Sequence, residues 1–118
     1  MNGLILTNTG TASSNGKTGV LSVNVLSSQT ETIDLYKSDF PAIKWLVSFY
    51  DSVLNKARSF EINAVNDFQG TIDWSVSAVV GENFDAIINL TQGPNPDETV
   101  FSVQNVSLNT IEVKAKRL

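Results

Sequence analysis

Polar and apolar residues alternate along this chain with a period of two. Ile72-Asp73-Trp74-Ser75-Val76-Ser77-Ala78-Val79-Val80 is the longest example, and Ile43-Lys44-Trp45-Leu46-Val47-Ser48-Phe49, Phe60-Glu61-Ile62-Asn63-Ala64 and Ile111-Glu112-Val113-Lys114-Ala115 repeat the rhythm. Successive side chains of a strand point to opposite faces, so this pattern predicts extended strands with one face in a core and the other in water. Further strands are predicted at Val20–Leu26, Thr32–Tyr36, Asp85–Thr91 and Val100–Gln104. Turn-forming groups separate them: Ser38-Asp39-Phe40-Pro41, Asp51 to Lys56, Asn66-Asp67-Phe68-Gln69-Gly70, Gly81-Glu82-Asn83, the long Gln92-Gly93-Pro94-Asn95-Pro96-Asp97-Glu98 and Asn105-Val106-Ser107. No stretch sustains helical spacing. Short strands with frequent turns predict an all-β protein, a single antiparallel β-sandwich of jelly-roll-like or Ig-like type with about 7–9 strands.

Within that frame Ile43, Trp45, Val47 and Phe49 share one face, with Phe60, Ile62 and Ala64 facing inward beside them. Leu46 and Tyr50 lie on the opposite face and imply partial cover there as well. Trp45 and Trp74 are both assigned to the inner face, each covering on the order of 200 Å². On that assignment Trp74→Ala costs roughly 3–5 kcal/mol.

The first 30 residues differ from the rest. Thr7 to Gly19 reads as a polar loop. The isolated apolar Leu4-Ile5-Leu6 is too short to hold itself and needs a partner strand. Residues 1–30 are therefore read as an N-terminal arm and first strand, and residues 31–118 as the sandwich domain.

Composition agrees with one β domain. Of 118 residues, 42% are apolar and 17% charged, below the usual quarter for charge, while Ser, Thr and Asn make up about 30%. The net charge of −4 argues against nucleic acid as a partner, since phosphate contacts need a basic surface. The basic residues Lys114, Lys116 and Arg117 crowd the C-terminus. They read as a solvated strand end or as a basic contact for an acidic surface. With Leu4, Ile5, Leu6 and Val20 they are the candidate interface residues. No membrane span and no signal peptide is expected.

Candidate chemistry is sparse. The chain has no cysteine and no histidine, which removes disulfides, thiolate chemistry, the commonest general base and the commonest transition-metal ligand. No catalytic, cofactor-binding or metal-binding residue is assigned. Asn15-Gly16-Lys17-Thr18 imitates a P-loop, but the first glycine is misplaced and a strand pattern follows where a helix is required. Asn89-Leu90-Thr91 and Asn105-Val106-Ser107 fit the glycosylation sequon, with no secretion signal to support their use. The turn acids, Asp67 near Asp73, Glu82 with Asp85 and Asp97 with Glu98, are the pairs that two-carboxylate hydrolysis or calcium would need, and their ordinary role is to cap turns. Phe49, Tyr50, Trp45 and Trp74 are either core or a stacking platform for sugars.

From Ile33 to Leu118 the chain resembles a β-sandwich module of tailed-bacteriophage virion proteins. The resemblance is carried by Ile43-Lys44-Trp45-Leu46-Val47-Ser48-Phe49 running into Asp51, by Lys56-Ala57-Arg58-Ser59-Phe60-Glu61-Ile62, Gly70-Thr71-Ile72-Asp73-Trp74 and Val79-Val80-Gly81, and by the ending Ile111 to Leu118. It implies a non-enzymatic decoration (cement), neck or tail-fibre component located in the virion and made in the host cytoplasm. It also implies a homo-oligomer, a trimer favoured, that docks on other virion proteins. A carbohydrate-binding module at a fibre tip is the alternative, and a two-carboxylate hydrolase a third.

Overall fold

A computed structural model of the protein describes residues 19–118. These form eight strands: β1 (Val20–Val25), β2 (Thr30–Lys37), β3 (Ala42–Asp51), β4 (Lys56–Asn66), β5 (Ile72–Gly81), β6 (Ala86–Gln92), β7 (Glu98–Asn105) and β8 (Ile111–Arg117). All pairings are antiparallel. The strands build a sandwich of unequal layers, five strands in the order β1-β8-β3-β4-β5 over three in the order β2-β7-β6. The expected all-β sandwich is therefore present. The stretch Leu4-Ile5-Leu6 and the P-loop imitation lie outside the described residues.

The core follows the predicted alternation on the central strands. Ile43, Trp45, Val47 and Phe49 of β3 are buried, as are Phe60, Ile62 and Ala64 of β4 and Ile111, Val113 and Ala115 of β8. Ile33, Leu90, Phe101 and Val103 meet them from the smaller sheet. Trp45 and Phe101 join the two layers with ring centroids 5.3 Å apart, and Phe49 stands edge-on to Phe60 at 5.1 Å. Such aromatic pairs add about 1 kcal/mol beyond their area burial.

One turn of the alternation is reversed. β2 bulges between Thr32 and Asp34 against β7, so Ile33 and Asp34 are both buried. From there Asp34 and Tyr36 share the faces of Phe101 and Thr99, while Leu35 turns outward and is exposed. A bulge thus delivers a carboxylate into an apolar core, where it has to be paired. Asp34 Oδ2 accepts from Trp45 Nε1 at 2.9 Å and from Arg117 Nε at 2.7 Å, and Oδ1 accepts from Arg117 Nη2 at 2.6 Å. The Arg117 guanidinium also lies 4.4 Å from the Tyr36 ring centroid, a cation–π contact.

One expectation is corrected. Leu46 and Tyr50 lie on the outer face of β3 and are partly exposed, and the Tyr50 hydroxyl donates to Asn55 Oδ1 at 2.9 Å. Trp74 is 36% exposed, whereas Trp45 is 0% exposed. The face assigned to Trp74 is right, because it sits opposite buried Ala64 and cross-strand partners share a face. What fails is complete cover: β5 is an edge strand of the larger sheet, and Trp74 keeps about a third of its surface in solvent.

These placements set the stability ranking. Asp34→Ala strands the Arg117 charge and should cost about 3–5 kcal/mol. Trp45→Ala should cost about 3–5 kcal/mol and Trp74→Ala only about 1–2 kcal/mol. Urea denaturation checks all three.

Candidate interaction surface

β5 is the most apolar exposed element. Its register against β4 puts Ile72, Trp74 and Val76 on the inner face opposite Asn66, Ala64 and Ile62. Ile72 packs on the core, but Val76 is 39% exposed and Val79 45% exposed. The outer face carries Asp73, Ser75 and Ser77, all exposed, and Asn63 Nδ2 donates to Ser77 Oγ at 3.1 Å. A second register shift sets Ala78 and Val79 together against Phe60 and forces Ala78 to φ 54°, a left-handed conformation that a non-glycine residue rarely adopts. Gly81 closes the strand at φ 105°, and a Cβ there would meet the Ala57 carbonyl oxygen at 2.3 Å. The far edge of β5 has no strand partner among the described residues.

A second apolar group caps one end of the sandwich. Leu26, Val53, Leu54, Val106 and Leu108 are exposed on three neighbouring loops. Buried polar side chains hold these loops together. Asn105 donates to Val25 O at 2.8 Å and Asn109 O at 2.7 Å, and its Oδ1 accepts from the Ser107 amide and hydroxyl. Asp51 accepts from the amides of Val53 and Leu54 and from Asn109 Nδ2. Beside them Asn24, Tyr50, Ser52, Thr110 and Glu112 line a shallow depression of about 240 Å³. At the opposite end Asn66 ties the β4–β5 turn to the β6–β7 loop, donating to Pro96 O and Thr99 Oγ1 and accepting from Gln92 Nε2.

The predicted site residues separate. Val20 is exposed at the edge strand beside Lys116. Lys114 and Lys116 are exposed on the outer face, while Arg117 turns inward to Asp34, so the three do not form one basic patch. Leu4, Ile5 and Leu6 lie outside the described residues. Trp45 and Phe49 are core, and Tyr50 and Trp74 belong to opposite faces, so these aromatics build no common platform. Among the described residues no group of three acids is placed to hold a metal ion. Asn105 is 0% exposed with its amide fully engaged, which makes that sequon an Asx turn and not a glycan acceptor.

The structural polar residues were missed. Asp51, Asn66 and Asn105 each precede, by two positions, the amide they cap, and that Asx spacing at a strand end is a readable signal. Asp34 leaves none, since the bulge that buries it is invisible in the alternation.

No known family model matches the chain, and no curated protein does. Among solved structures, the fold is similar to part of the tailspike protein of Acinetobacter phage vB_ApiP_P1. That match has a TM-score of 0.58 at 7% identity and covers 89% of this chain and 22% of the tailspike. The chain thus spans about a fifth of that protein's length, and the likeness is one of fold.

Two turn acids predict acid sensitivity. The Leu54 amide, with help from Asn109, the Val53 amide and Lys56, holds the Asp51 carboxyl below its ordinary value of 3.8 despite its burial. The amides of Gln69 and Thr71 do the same for Asp67. A carboxyl whose folded pKa lies below its unfolded one stabilises fully above the unfolded value, about 3.9, and loses that contribution as pH falls through the folded value. Urea midpoints should therefore drop below about pH 4. Asp51→Asn, which cannot titrate, should show a shallower drop between pH 5 and pH 3.

Proposed function

We propose that this chain is a non-enzymatic structural module of a bacteriophage tail, a homo-oligomer that docks on other virion proteins through its sheet surface and N-terminal arm. The observation that carries the reading is the fold likeness to one part of a phage tailspike over 89% of this chain. The residue content supports it: no histidine or cysteine and buried polar groups spent on holding loops. Apolar side chains are exposed on β5 and at one end, as expected of a surface built to be covered. The acidic net charge speaks against nucleic acid as a partner. The chain's place is then the assembled virion.

Glycan binding is the second reading, favoured by the exposed Trp74 indole. A glycan array without hits removes it.

Deleting residues 1–19 tests the arm. The deletion leaves all eight strands intact, so circular dichroism should be unchanged while light scattering shows a weakened oligomer. An unchanged molar mass together with undiminished docking would refute the arm.

A further inference from the structure

We infer that the depression lined by Asn24, Tyr50, Ser52, Thr110 and Glu112 is a seat for one basic side chain, a lysine or an arginine, of a polypeptide that docks on this chain. This rests on the docking reading above and names one contact that it uses.

The larger sheet builds the seat. Asn24 of β1 and Tyr50 of β3 both stand opposite Glu112 of β8, so an amide, a carboxylate and a phenol ring form one row across three adjacent strands. All three point to the outer face, because their chain neighbours Val25, Phe49, Asp51, Ile111 and Val113 are buried. Ser52, just after β3, and Thr110, just before β8, close the row at one end. The Tyr50 hydroxyl donates to Asn55 Oδ1 at 2.9 Å, which holds the ring in place while 38% of the residue stays exposed.

The row differs from the polar groups around it. Asp51, Asn105, Ser107 and Asn109 are engaged in holding the loops together. Asn24, Ser52, Thr110 and Glu112 take no part in those bonds. Glu112 is half-buried, and no ion pair among the described residues includes it. Lys114 lies two positions along the same face and forms none with it, and Lys56, across the β3–β4 turn, is turned to the Asn83 carbonyl and the Phe84 ring. A carboxylate partly withdrawn from water is thus left without a counter-charge.

The same chain shows what such a pair of groups holds. Asp34 and Tyr36 flank Arg117, whose guanidinium donates to the carboxylate and lies 4.4 Å from the ring centroid. Glu112 and Tyr50 repeat the carboxylate and the phenol ring in an open position. A cation between them gains an ion pair and a cation–π contact. Its remaining donors meet the side-chain oxygens of Asn24, Ser52 and Thr110. An anion is disfavoured by Glu112 and by the net charge of −4. The volume, about 240 Å³, lies below the roughly 300–1,000 Å³ of sites for drug-sized ligands, and suits the end of one side chain.

Acetylated and amidated Gly-Lys-Gly and Gly-Arg-Gly, titrated into the full chain at low salt, test the seat by amide NMR shifts. Gly-norleucine-Gly is the neutral counterpart. The basic peptides should give saturable shifts at Tyr50, Thr110 and Glu112 that weaken as salt is added, and the norleucine peptide none. Glu112→Gln should raise Kd about fivefold and Tyr50→Leu about threefold. Both positions lie on the outer face, so the amide spectrum of the core strands should not change. Basic peptides that bind Glu112→Gln as tightly as the wild type overturn the inference. So does methyl glucoside shifting the same amides where the peptides do not, which would make the depression a sugar site. Absence of any shift with the basic peptides also overturns it and leaves the docking reading standing, since the deletion of residues 1–19 judges that reading separately.

Discussion

A carboxylate between two apolar sheets is tolerated only when every lone pair that matters finds a donor, and the pairing of Asp34 fixes how the layers of this protein stack. Asp34 belongs to β2 in the smaller sheet, and its donors belong to the larger one, Trp45 on β3 and Arg117 on β8. The fork of hydrogen bonds from Arg117 is directional, so it locates β2 as well as attaching it. Asn105 repeats the device at the other end, reaching from β7 to the backbone of β1. Together they tie β2 and β7 of the three-stranded sheet to β1, β3 and β8 of the five-stranded one.

The buried polar anchors select one stacking at an energetic cost, because an ion pair in a core is no more stabilising than well-packed apolar residues of the same volume. What they provide is position: each fixes a strand of one sheet against strands of the other.

Much of this fold is legible in the chain. The period-two pattern places Ile43, Trp45, Val47 and Phe49 on one face of β3, and all four are buried. Trp74 marks the limit of that reasoning. Alternation reports the face of a side chain, and the register confirms it, but cover depends on what packs against that face, which is a non-local quantity. Asp34 fails for a different reason, since one inserted residue in β2 exchanges the faces of everything after it. Arg117 looked like the end of a basic tail, and only the tertiary fold brings its carboxylate partner within reach.

Hydrogen exchange along β5 at increasing protein concentration tests the proposed assembly through the sheet surface most directly. The β5 amides that face β4 are protected, and those on the other edge have no strand partner among the described residues. If copies meet through the sheet at this strand, the amides of that other edge between Trp74 and Val80 gain protection as concentration rises, while the exposed loops at Val53 and Leu108 do not change. Amides of that edge that exchange equally fast at every concentration, in a sample shown to be oligomeric, would contradict assembly through this sheet edge.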